Sequence, residues 1–128
     1  MGKMPEELIL LNEWKKALEI NDWFVVLNTD CKKEDLELEY AAGEITYEEV
    51  SKSAVIRILS KEEYDGFRPF DFEEILVHEL LHLKFAMLTQ GNDWEGTLQL
   101  RVLHQLIDSI ARVLVAMKRK EVITDGTT

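Results

Sequence analysis

Cysteine occurs once in the 128 residues, at Cys31. The chain therefore cannot close an internal disulfide, and it has no thiolate set for a cysteine-rich zinc site. A lone thiol fits a reducing interior, so the cytoplasm is the expected location. Proline and glycine are also scarce, two and six residues, and no Pro/Gly/Ser-rich linker, repeat or low-complexity tract interrupts the chain. The expectation is a single domain spanning residues 1–128. Positive charge is short: 15 Lys+Arg stand against 25 Asp+Glu, a formal charge of −10 at pH 7. Such a field repels phosphates, which argues against a nucleic-acid partner. No apolar run approaches the ~20 residues of a membrane span, and residues 1–7 lack the basic-then-apolar order of a signal peptide. Neither membrane partner nor export is expected. At this length a folded chain hides about two-thirds of its unfolded surface, enough for a core without staples.

What is present reads as α+β. Pro5, Glu6 and Glu7 suit a helix start, and Leu8, Leu11, Trp14 and Leu18 recur at helical spacing, predicting a first helix over 5–20. Three strand candidates follow, at 23–27, at 36–40, which alternates with period two, and at 54–59. Residues 41–47 read equally as a turn or a further strand. The expected sheet thus has three or four mostly antiparallel strands. Asp71 can cap a helix running over 72–90, with Glu74 as the reciprocal member of a capping box. Gly91 offers a left-handed stop, and Asn92 or Asp93 a new cap. Apolar positions from Leu98 to Met117 define a last helix. Lys118, Arg119 and Lys120 at its end complement the helix dipole, which accounts for the only basic cluster.

The chemistry is concentrated in Ile75-Leu76-Val77-His78-Glu79-Leu80-Leu81-His82-Leu83. Residues four apart on a helix share a face, so His78 and His82 can aim imidazole nitrogens at one metal, with Zn²⁺ the natural occupant. Glu79 then lies beside the metal rather than on it, placed to take a proton from activated water. The bland reading makes the two histidines core residues bonded to backbone carbonyls. Against it, three polar groups in a strongly apolar stretch each need partners, and ligation supplies them.

A catalytic zinc usually has three protein ligands and an open position. The metzincin extension is excluded, because Phe85 and Leu88 stand where its Gly and third His would fall. His104 lies 22 residues beyond His82, enough chain to finish one helix, turn, and return antiparallel. It is the expected third ligand. Arg101, His104, Asp108 and Arg112 form one polar line on the last helix, and Asp108 can accept from the far nitrogen of a ligating His. A plain solvated face held by Asp108 and Arg112 at i,i+4 is the alternative for that line, and Arg101 is expected as an exposed partner of Glu95 or another carboxylate. Trp14, Trp23, Phe24, Phe67, Phe70 and Trp94 are expected mainly as packing. Residues 34–39 read as a solvated acidic strand edge, not a calcium site.

With the His-Glu-Leu-Leu-His helix and its flanks in place, the sequence resembles the zincin metallopeptidases. Among them it is similar to the gluzincin arrangement, in which the third ligand sits on a later helix with an acidic residue four positions on. The order helix, short sheet, motif helix, final helix resembles small phage and prophage metallopeptidases, SprT-like in layout. The resemblance extends over most of the chain. In those proteins a Glu is expected in the final helix, and in His104-Gln105-Leu106-Ile107-Asp108 the histidine stands in its place. The resemblance implies a minimal zincin core with an edge strand, here 54–59, along which a peptide substrate adds. It implies Zn²⁺ on His78, His82 and His104, and Glu79 as general base. For the oxyanion, Tyr64, Tyr47 and Arg101 are candidates. Two rivals remain open: a zinc-stabilised binding or regulatory module without turnover, and a metal-free helical core. Oligomeric state and substrate identity are not fixed by the sequence.

Overall fold

The computed structural model describes residues 5–38, 41–89 and 96–120. Helix α1 (Glu6–Ala17) leads to strand β1 (Phe24–Cys31), a single 3₁₀ turn (Lys33–Asp35), strands β2 (Gly43–Glu48) and β3 (Ser53–Leu59), and helices α2 (Phe72–Lys84), α3 (Ala86–Thr89) and α4 (Leu98–Arg119). The architecture is α+β.

Helix α1 stops earlier than its apolar spacing suggests. Glu19 takes a left-handed conformation (φ 58°), and the backbone N–H groups of Glu19 and Ile20 close on the Lys16 and Lys15 carbonyls. This is a Schellman ending that drops Ile20 into the core.

The sheet has the order β1-β3-β2, with β1 parallel and β2 antiparallel to β3. It is mixed rather than mostly antiparallel, and the expected edge strand, β3, is its centre. The reason is legible in its residues: Ala54, Ile56 and Ile58 are buried on one face, and hydrogen-bonded strands flank both sides. The strand expected at 36–40 is absent among the described residues of that stretch. The backbone N–H groups of Glu37 and Leu38 are instead taken by the Glu44 carboxylate at 2.7 and 3.2 Å, so they cannot join a ladder. The described part of the acidic stretch, 34–38, is a 3₁₀ turn and a bend rather than a strand edge, and the ambiguous segment at 41–47 supplies β2.

Asp71 caps α2 by accepting from the Glu74 N–H at 3.1 Å. The reciprocal half of the capping box is replaced, since the Glu74 carboxylate pairs with the Arg68 guanidinium. Helix α2 ends at Lys84 rather than running on to 90, and the short α3 follows. The expected stop at Gly91 and caps at Asn92 and Asp93 lie outside the described residues. The observed cap of α4 is Thr97, whose hydroxyl accepts from the Leu100 N–H.

Helix α2 is the centre of the packing. Leu76, Val77, Leu80, Leu81 and Leu83 are buried between the inner face of the sheet, Leu11 and Trp14 of α1, and Leu103, Ile107, Ala111 and Val115 of α4. Helices α2 and α4 run antiparallel. At one end Arg119 meets Asp71 at 2.7 Å and Glu73 at 3.1 Å, and Lys118 also reaches Glu73, which accepts from the Trp14 indole at 2.7 Å. The basic tail of α4 therefore binds the acidic start of α2, a more specific use than its own dipole. Of the aromatic residues, Trp14 and Trp23 are buried and Phe70 packs on the core, whereas Phe24 and Phe67 are exposed, contrary to a packing role. Trp94 lies outside the described residues. No described helix is long and apolar enough to cross a membrane.

Candidate metal centre

The opposite end of the α2–α4 pair carries the histidines. His78 and His82 stand one turn apart on α2, and their ring centroids are 5.3 Å apart. His104, in the second turn of α4, brings its ring within 5.0 Å of His82. One nitrogen from each of the three lies within 4.8 Å of the others. That separation is small enough for ring rotation to close all three on one ion. Three imidazoles without a thiolate are a borderline-soft set that suits zinc.

Burial sets the state of the two on α2, whereas His104 is exposed. His82 has its pKa lowered to about 4, first by loss of solvent and then by the neighbouring His78 and His104. Burial also lowers His78, with Asp108 opposing and His104 adding to the shift. Both rings are neutral at pH 7, each with a lone pair to offer. Asp108 meets the cluster through His78, with Oδ1 3.5 Å from Nδ1. It stands one turn beyond His104 in sequence, but the ring it can orient belongs to the other helix.

Glu79 follows His78 on α2 and is buried, 5% exposed. Its pKa is pushed up to about 8, first by desolvation and then by the charge of Glu44. Glu44, also 5% exposed, is held by the Glu37 and Leu38 N–H groups and by Arg57 at 3.4 Å. Gly43 explains how β2 comes so near. A Cβ there would sit 2.9 Å from Ile75 Cγ2 and 3.4 Å from Glu79 Oε2, so the strand can pass the helix only without a side chain. Gly43 and Glu44 escaped the sequence reading; a lone Gly within a strand pattern is the signal for such close approach.

His78, Glu79 and Asp108 border a cleft of about 560 Å³, whose other walls come from Ala41–Gly43, from Glu74 and Ile75, and from part of the stretch between Tyr64 and Asp71. Among the candidates for an oxyanion partner, Tyr64 lines this cleft. Tyr47 instead stacks edge-on against Trp23 at 6.0 Å, and Arg101 is exposed on the first turns of α4 and is not part of the cleft wall. Arg112 is likewise exposed. The suggested partner of Arg101, Glu95, lies outside the described residues. Cys31, the last residue of β1, is buried opposite Leu59 of β3, with its thiol pKa raised by burial. Comparison with protein-family models, with curated sequences and with solved structures yields no match for this chain.

Proposed function

We propose that the chain is a zinc-dependent peptidase with a minimal zincin-like core, in which His78, His82 and His104 hold the ion. The observation that carries this reading is the convergence of one nitrogen from each histidine within 4.8 Å, with the Glu79 carboxyl on the adjoining cleft wall. When bound there, zinc supplies a Lewis acid for the scissile carbonyl and a water acidified toward neutrality.

The remaining work belongs to the protein. Glu79, mostly protonated at pH 7 with its pKa at about 8, would be driven to the carboxylate by a cation held on the neighbouring histidines; its Oε then takes a proton from the attacking water and delivers it to the leaving amine nitrogen, so one water is added across the C–N bond and the carboxylate is regenerated. Its low-dielectric setting keeps bulk water from competing for that proton. Asp108 orients His78, fixing which nitrogen faces the ion. A peptide has a track to follow: β2 has β3 on one side and no strand on the other among the described residues, and Ala41–Gly43 lead that edge into the cleft.

Glu79→Gln tests the reading directly. The variant is expected to retain one zinc per chain and to lose hydrolysis of a casein digest by at least a hundred-fold, within the range expected for loss of a general base. If the zinc-loaded wild type cleaves no peptide bond and Glu79→Gln behaves identically, the site serves folding or binding and the peptidase reading fails.

A further inference from the structure

Phe67 is the most exposed large apolar residue described, at 112% of its reference accessibility. Its position sets it apart from a scattered surface phenylalanine. It stands on the rim of the cleft that His78 and Glu79 border, and the nearby apolar wall consists of Ala41, Ala42, Pro69 and Ile75. The loop that presents it is held by its own bonds. The Tyr64 hydroxyl donates to the Arg68 carbonyl at 2.7 Å, and the Tyr64 ring packs edge-on against Phe70 with centroids 5.4 Å apart. Gly66 is fitted to that arrangement, since a Cβ there would fall 2.3 Å from the Tyr64 hydroxyl oxygen. Phe67 is thus held out over the cleft by a braced turn while contributing nothing to the core.

We propose that Phe67 determines specificity by packing on a large apolar side chain, aromatic or aliphatic, of an extended peptide seated in this cleft. The volume of about 560 Å³ falls within the ~300–1,000 Å³ of small-ligand sites. It accommodates a large side chain with flanking backbone. The charges around it are already committed: Arg68 to Glu74, and Asp71 to Arg119. Among the described lining residues Arg68 is the one Lys or Arg and is paired with Glu74, so an acidic side chain entering would meet the Asp108 carboxylate with no uncommitted lysine or arginine opposite it. An apolar side chain meets no such penalty and gains the Phe67 face.

The inference rests on the peptidase reading for its orientation toward Glu79, but its test reads binding. Fluorescein-labelled, C-terminally amidated hexapeptides differing at one central position (Phe, Leu, Ala, Glu or Lys) are titrated by anisotropy into zinc-loaded Glu79→Gln protein, alone and combined with Phe67→Ala or Phe67→Leu. The Phe and Leu peptides are expected to bind about ten-fold tighter than the Ala and Glu peptides, a ratio typical of one well-placed apolar contact. Phe67→Ala should erase that preference without changing the melting temperature, and Phe67→Leu should keep most of it. Equal affinities across the set, tightest binding of the Lys peptide, an unchanged preference in Phe67→Ala, or no binding at all would each overturn the proposal. Preferential binding with no cleavage by the wild type removes the peptidase reading alone. Cleavage with no dependence on the central side chain removes the specificity proposal alone.

Discussion

An imidazole ligates a metal through a free lone pair, and burial holds His82 neutral with its pKa lowered to about 4. His78 is also lowered, and its Nδ1 faces Asp108, which leaves Nε2 to point elsewhere. Asp108→Asn keeps the shape but weakens the acceptor that orients His78. Zinc affinity, measured by competition with a chelating dye, should fall by about ten- to a hundred-fold. Gly43→Ala probes the other side of the site. The added methyl must displace Ile75 or Glu79, so we expect a loss of about 1–3 kcal/mol in denaturant unfolding, typical of an overpacked contact. Peptide hydrolysis should fall more steeply than zinc affinity, because Glu79 moves while the three histidines remain.

At the scale of elements, the α2–α4 pair is clasped at one end so that the histidines can meet at the other. Asp71 and Glu73 form the clasp with Lys118, Arg119 and Trp14. Asp71 has its pKa lowered, chiefly by its hydrogen bonds from Arg119. For Glu73, burial acts to raise the pKa, but hydrogen bonds from Lys118, Trp14 and Arg119 outweigh it and the net shift is downward. Folded pKa values below the unfolded ones mean that the unfolded state binds more protons in acid. The contribution is complete above the unfolded values of 3.8 and 4.5, and it is lost as pH falls through the lower folded ones. Melting temperature should therefore fall more steeply below about pH 4.5, on top of the decline that begins below pH 6.5 as the unfolded state protonates His78 and His82, whose folded pKa values are lowered. An Asp71→Asn/Glu73→Gln double variant should be less stable at pH 7 and show a shallower acid slope. At the far end of α1, Glu19 sits at φ 58° without being glycine. Glu19→Gly should raise stability by about 1 kcal/mol, read from thermal unfolding.

These elements also show what a sequence makes legible. The start of α2 is local information, a capping Asp before an apolar helical run, and it reads directly. The placement of β3 is not local: Ala54-Val55-Ile56-Arg57-Ile58-Leu59, apolar except for Arg57, reads as a strand, but its pairing on both sides contradicts the edge position expected from sequence. The alternation at 36–40 misled because a side chain from β2, Glu44, captures the backbone N–H groups a strand would need. Tertiary competition of that kind leaves no periodic trace. The spacing of His78 and His82 on α2 was visible because i,i+4 geometry is intrinsic to a helix. The His78–Asp108 contact was hidden because it depends on the rotation of one helix against another.

For the whole molecule, zinc should act as a ligand of the folded state alone, because the unfolded chain does not hold His104 beside α2. Free zinc at a hundred times its dissociation constant stabilises such a state by about 2.7 kcal/mol. Zinc should raise the melting temperature, a chelator should reverse the rise, and His82→Ala should abolish it. The formal charge of −10 favours approach of the cation and of cationic peptides, more so at low salt. The measurement that bears most directly on the account is elemental analysis of zinc per chain, on wild type and His104→Ala purified side by side from zinc-supplemented culture. One zinc per wild-type chain, with near-complete loss in the variant, is the expected result; equal content in the two, or none in either, contradicts it.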